Sequence, residues 1–267
     1  MPSNKPENPA DREADTPSSD MISKVAEITL AFWVMKIIAT TLGETTGDFI
    51  AQTLNLGYVV GLGITSVLLV GVLTAQIRAE RLHPSLFWAA IVATTTAGTE
   101  ISDLMDRTLG LGYVGGSIVL TMCLLATLFV WHRRVGHLQV DGINRRDTEI
   151  MFWVAVVFSN SLGTAFGDFL VDVIGLSYAT GALVTMGVIG LVLIAHYTRA
   201  MNDVVLFWIA FVFTRPFGAT FGDLLTKPAE SGGLHLGTYN ASIVCILLLS
   251  GLIFVSHRRR RRLSARP

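Results

Sequence analysis

Thr41-Leu42-Gly43-Glu44-Thr45-Thr46-Gly47-Asp48 is the stretch on which the reading of this chain turns. It sets two carboxylates four residues apart, hence on one helix face, beside two glycines at the same spacing inside an apolar segment. The pattern returns as Gly98-Thr99-Glu100-Ile101-Ser102-Asp103, Gly163-Thr164-Ala165-Phe166-Gly167-Asp168 and Gly218-Ala219-Thr220-Phe221-Gly222-Asp223. A Phe-Trp pair precedes each copy, at Phe32-Trp33, Phe87-Trp88, Phe152-Trp153 and Phe207-Trp208, with spacings of 55, 65 and 55 residues. The first three copies run on into Leu56-Gly57-Tyr58, Leu111-Gly112-Tyr113 and Leu176-Ser177-Tyr178, and the fourth reaches Gly237-Thr238-Tyr239 after an insertion around Lys227-Pro228. Self-similarity at a fixed period marks a repeat architecture. The rhythm is that of a duplicated pair.

Each unit holds two apolar segments, A (26–48, 85–104, 149–172, 204–224) and B (57–77, 113–131, 178–197, 239–256). Such runs suit a hydrocarbon core about 30 Å thick, which a helix of about 20 apolar residues crosses. The composition agrees: 51% of the 267 residues are hydrophobic and 15% charged, where a soluble domain carries about 25% charged. The expected fold is an all-α membrane protein, with eight transmembrane helices as four parallel two-helix repeats in a pseudo-symmetric bundle. The organisation along the chain is a disordered tail (1–22), repeats at 23–80 and 81–135, a loop (136–147), repeats at 148–200 and 201–257, and a polybasic tail (258–267). The first twenty residues are polar and lack the apolar core of a secretory signal. Cys123 and Cys245 lie in apolar runs, where a disulfide is not expected.

Orientation follows from the cations. Arg78, Arg81, Arg133, Arg134, Arg145, Arg146 and Arg199 fall in the B-to-A connections and Arg258–Arg262 after the last helix, whereas the A-to-B turns hold chiefly Arg107 and Lys227. The positive-inside rule then makes both termini cytoplasmic. The arginine run directly follows an apolar helix, so it reads as an anchor to anionic lipid, and no nucleic-acid partner is expected.

Taking Trp33 as the inner interface, a rise of 1.5 Å per residue puts Glu44 roughly 16 Å and Asp48 roughly 22 Å into the membrane. Charges at that depth cost several kcal/mol and normally face the bundle interior along a pathway. Glu44, Asp48, Glu100, Asp103, Asp168 and Asp223 are therefore the candidate ligands of a cation, the four Asp forming a ring or two facing pairs. In this reading Glu44 and Glu100 are equivalent acids, replaced by Thr164 and Ala219 in the last two units. Thr41, Thr45, Thr96, Asn160, Thr164 and Thr220 supply neutral oxygens to the pathway, and Lys36 and Arg215 neutralise acids or touch substrate. Carboxylates with neutral oxygens suit hard divalent cations such as Mg²⁺, Ca²⁺ or Mn²⁺; the same acids also suit protons. Gly43, Gly47, Gly98, Gly163, Gly167, Gly218 and Gly222 let helices approach closely. The competing reading ends helix A early and lets each Asp open a turn.

On the motif T-x-G-E-T-x-G-D at Thr41–Asp48, the chain resembles a bacterial family of uncharacterised multi-pass membrane proteins built from tandem repeats. The resemblance spans roughly residues 25–257. It implies paired helices in the inner (cytoplasmic) membrane and carries no assigned activity. A looser similarity is to cation exporters with repeated E-x-G-D motifs, from which E-T-T-G-D differs in spacing. The expectation is a transporter, an exporter or antiporter of a divalent cation with Mn²⁺ as a guess, using no resident cofactor. Its partners are the lipid bilayer and the transported ion or solute, with a homo-oligomer possible. The alternatives are a non-transporting scaffold or sensor and a carrier for a small organic solute, whose carboxylate Arg215 would bind. No nucleophile–base constellation suggests an enzyme.

Overall fold

The computed structural model describes residues 24–140, 142–143 and 145–264. The tail expected over 1–22 lies outside the described residues, as do the side chains of the arginine run from Arg259 on. Among the described residues there are eight α-helices and no strand: α1 (Leu30–Asp48), α2 (Gly57–Arg78), α3 (Pro84–Asp103), α4 (Gly112–Val135), α5 (Arg146–Asp168), α6 (Tyr178–Tyr197), α7 (Asp203–Thr226) and α8 (Thr238–Ser264). Local chemistry starts several of them. Thr29 accepts from the Phe32 N–H at 3.3 Å, Ser177 from Thr180 at 3.2 Å and Asn202 from Val204 at 2.8 Å, while Pro84 opens α3 where its missing N–H is not needed. At the end of α4, Gly136 takes φ 85°, a left-handed cap open to glycine.

The reading in which each Asp opens a turn is corrected. Asp48, Asp103 and Asp168 close their α-helices, but the helical path continues as five-residue π-helical turns, Phe49–Thr53, Leu104–Thr108 and Phe169–Val173. Bonds such as Leu54 N–H to Phe49 C=O, 2.9 Å, close them. Asp223 lies inside α7, and the fourth unit replaces the π turn with its insertion. That insertion folds back on α7: Leu234 and Leu236 donate to the carbonyls of Leu224 and Leu225 at 2.7 and 2.9 Å.

The A helices form a closed ring in which α1 packs on α3, α3 on α5, α5 on α7 and α7 on α1. Each B helix leans on the A helix of the following unit: α2 on α3, α4 on α5, α6 on α7, with α8 returning to α1. Six helices, all but α1 and α3, are long and apolar enough to cross a membrane. The B helices are largely exposed, as helices apolar all round are when lipid surrounds them. These features describe a multi-pass membrane protein.

Glycines set the spacing of the ring. Gly43 receives Thr95 of α3, Gly98 receives Asn160 of α5, Gly163 receives Arg215 of α7, and Gly218 receives Thr40 of α1. One turn on, Gly47, Gly167 and Gly222 receive Thr99, Ala219 and Glu44 of the same neighbours. Every fourth residue of each A helix thus sits in a seam on the glycines of the preceding one, the i±4n row that small-x-x-x-small helices pack by.

At the other end of the ring, Phe32, Phe87, Phe152 and Phe207 are buried with Trp88, Trp153, Trp208 and Trp131. Their ring centroids lie 5.0–6.4 Å apart, for example Phe87–Trp153 at 5.7 Å and Trp131–Trp208 at 5.8 Å, so this end is an apolar plug. A buried ion pair fastens it: Lys24 donates to Glu149 at 2.9 Å, and Gln76 donates to the same carboxylate at 3.2 Å.

Candidate functional site: a carboxylate layer at one end of the ring

Reading each A helix from its Asp back toward the plug in steps of four gives successive levels, all buried. The first is Asp48, Asp103, Asp168 and Asp223. Next come Glu44, Thr99, Thr164 and Ala219, then Thr40, Thr95, Asn160 and Arg215, then Lys36, Ile91, Val156 and Phe211, and last the four Phe. The levels thus pass from wholly aromatic at the plug to wholly carboxylate at the far end.

The four Asp divide into two pairs, each bridged by a cation four residues beyond an Asp. Lys227 Nζ lies 2.7 Å from Asp48 Oδ2 and 3.2 Å from Asp223 Oδ1. It also donates to Gln52 Oε1 at 3.4 Å, while Gln52 Nε2 donates to Asp48 Oδ1 at 2.6 Å. On the other side, Arg107 Nε lies 3.2 Å from Asp103 Oδ1, and its Nη2 lies 3.2 Å from Asp168 and 3.8 Å from Asp172. Tyr113 O–H donates to Asp172 at 2.6 Å, and the guanidinium lies 5.7 Å from the Tyr113 ring centroid. Burial works against the Lys227 charge, but Asp48 and Asp223 outweigh it and hold its pKa above the ordinary lysine value.

Glu44 stands one level below. One carboxylate oxygen each of Glu44, Asp48 and Asp223 lies within 4.8 Å of the others. Glu44 is also within electrostatic reach of all four Asp. Arg215 Nη2 donates to Glu44 Oε2 at 2.8 Å and to Thr99 Oγ1 at 2.5 Å. Two turns deeper, Lys36 donates to Asn160 Oδ1 at 3.3 Å and lies 4.1 Å above the Phe211 ring. Glu44, Asp48 and Asp223 are close enough together that they could hold a cation. Lys227 and Arg215 occupy these oxygens in the structure, so hard-ion ligand distances of about 2.0–2.6 Å require the carboxylates to draw together and the ammonium between Asp48 and Asp223 to leave.

The equivalence of Glu44 and Glu100 is corrected. Glu44 precedes its Asp by four residues and Glu100 by three, and one residue rotates a side chain by about 100° around the helix. Glu100 therefore turns to α2, where Gly61 makes room for it; a Cβ there would lie 2.7 Å from its Oε2. Both its oxygens are buried without a hydrogen-bond partner among the described residues. An unpartnered buried polar group costs about 1–3 kcal/mol. Glu100→Met is accordingly expected to raise the unfolding temperature of the detergent-solubilised protein, and a clear drop would contradict this placement.

The pathway hydroxyls separate in the same way. Thr164 and Asn160 lie on the central rows. Thr45, one residue off, hydrogen-bonds Ser242 of α8 at 2.9 Å. Thr96 borders an apolar cavity of about 980 Å³ between α1, α2, α3 and α8, and its hydroxyl donates to its own helix at Val92 C=O. Thr220 likewise bonds back to Pro216 and contacts Gly181 of α6, and the Thr41 hydroxyl is buried without a partner among the described residues. These three hydroxyls and that of Thr41 do not join the carboxylates. Arg107, Lys227, Gln52 and Thr99 were missed as site residues, although the Asp-x-x-x-cation spacing of Asp103–Arg107 and Asp223–Lys227 is visible in the sequence.

Residues 31–82, 86–136, 151–201 and 206–262 each match the Repeat of Unknown Function (DUF347), and the chain belongs to that family. No curated protein and no solved structure matches it. The looser likeness to cation exporters therefore rests on the motif alone.

Proposed function

We propose that this DUF347 protein is a membrane transporter and not an enzyme, a secondary exporter or antiporter of a divalent cation, with Mn²⁺ the first ion to test. The observation that carries the proposal is the convergence of Glu44, Asp48 and Asp223 within the ring of A helices. The charge balance supports it. Glu44 and the four Asp meet three cations at ion-pair distance, Arg215, Lys227 and Arg107, and Arg107 is shared with a further acid, Asp172, so the layer keeps more carboxylates than cations. In a low-dielectric interior such an excess repels itself strongly until cations join it.

In this reading all eight helices cross the bacterial inner membrane as four like-oriented hairpins of a pseudo-symmetric bundle. The arginines of the B-to-A connections support an orientation with those loops and both termini in the cytoplasm. The carboxylate layer then faces outward and the aromatic plug closes the cytoplasmic side. A second reading, a non-transporting scaffold, draws on the ion pairs that already engage all four Asp.

Proteoliposomes containing a divalent-sensitive dye separate the two. Wild-type protein is expected to admit Mn²⁺ down its gradient, and Asp48→Asn/Asp223→Asn to reduce the rate to that of protein-free vesicles. A wild-type rate no greater than that of empty vesicles would overturn transport, and an unaffected double variant would overturn its assignment to Asp48 and Asp223. Loss of folded yield in the double variant without any wild-type flux would favour the scaffold.

A further inference from the structure

Unit four departs from the others in two linked ways: it has no π turn, and its insertion carries Lys227 into the carboxylate layer. The backbone of Lys227 is held from both sides. Its N–H donates to Asp223 C=O at 2.9 Å and its C=O accepts from His235 N–H at 3.0 Å. Gly233 is packed against that backbone so closely that a Cβ would collide with the Lys227 carbonyl. The backbone is therefore fixed, and the side chain reaches the site on a four-carbon stem that is intrinsically flexible. Its ammonium sits among Asp48 Oδ2, Asp223 Oδ1 and Gln52 Oε1, an all-oxygen surround of the sort a hard metal cation uses.

The equivalent cation in the other half differs in chemistry. Arg107 meets Asp103, Asp168 and Asp172 through two of its nitrogens and lies against Tyr113. A guanidinium is a planar fork that stays charged and holds several oxygens in fixed geometry, whereas a lysine ammonium is a compact point charge on a flexible stem.

We propose that Lys227 is a built-in, displaceable counter-ion: its ammonium occupies the Asp48–Asp223 site when no ion is bound, and an incoming divalent cation expels it. Arg107 keeps the Asp103–Asp168 pair permanently closed, so the molecule takes one ion at this layer, on the Lys227 side. The inference rests on the cation reading above and specifies how that site is regulated. An ammonium occupying the site about nine-tenths of the time weakens apparent affinity about tenfold, because only the open fraction binds.

Calorimetric titration of MnCl₂ into the full-length protein in detergent tests this. The expected result is one ion per chain, tightened about tenfold by Lys227→Gln and weakened by Lys227→Arg. A readout on the unmodified chain accompanies it: Mn²⁺ should increase labelling of Lys227 by an amine-reactive reagent, scored by peptide mass spectrometry, because the expelled ammonium enters water. Mn²⁺ binding that is the same in wild type, Lys227→Gln and Lys227→Arg, or Lys227 labelling that is unchanged or suppressed by Mn²⁺, would overturn the counter-ion role while leaving the cation site standing. No Mn²⁺ binding by wild type or by Lys227→Gln would overturn the cation site itself, and the counter-ion role with it.

Discussion

Arg215→Ala is expected to cost the folded protein about 3–5 kcal/mol, the effect of stripping one partner from a buried ion pair. Arg215 is fully buried, and its Nη2 serves Glu44 at 2.8 Å and Thr99 at 2.5 Å together. Truncation leaves the buried Glu44 carboxyl group in its seam with its bridging donor gone. It also removes the stem that packs on Gly163 of α5. Restoring apolar volume on both sides should recover much of the loss, since a buried pair exchanged for hydrophobic residues is often neutral. The measurement is denaturant unfolding in detergent of Arg215→Met, Glu44→Leu and the double variant. Strong non-additivity is the expected signature of a directly interacting pair. An Arg215→Met variant as stable as wild type would contradict the buried bridge.

Gly163→Val is expected to be nearly as damaging, through shape and not charge. A Cβ at this position would lie 2.5 Å from both Cβ and Cγ of Arg215 and 2.9 Å from Cδ of Pro216. The proline ring and the first carbons of the arginine stem cannot swing aside, so α5 and α7 must separate. That places the cost near the top of the overpacking range, roughly 3 kcal/mol. Gly187 of α6 is the matched control, because nothing lies within 4 Å of a Cβ added there. Gly187→Ala should be neutral or slightly stabilising through its gain in helix propensity, up to about 1 kcal/mol. Thermal unfolding that fails to separate the two substitutions would remove the close-packed seam as the basis of the ring.

The helices were legible because length and apolar content decide them locally. The expected B segments 57–77 and 178–197 differ by at most one residue from α2 and α6. The acids were legible as a class for the same reason, a charge within an apolar run being conspicuous wherever it points. Their partners across the ring were not. Arg107 and Lys227 read as turn cations because the π turns and the unit-four insertion, which carry them back over the Asp, leave no apolar periodicity.

What the chain alone determined is therefore a membrane-embedded repeat of four helix pairs with a carboxylate at one level of each. Periodicity and composition express such features without reference to neighbours. Only the packed ring decided that α1 lies beside α7, that Asp48 pairs with Asp223 and Asp103 with Asp168, and that Glu44 faces its partners while Glu100 faces α2. Those outcomes depend on which of four similar glycine seams receives which helix and on about 100° of rotation per residue. Repeats built on one shared motif do not distinguish their own neighbours until the circle closes.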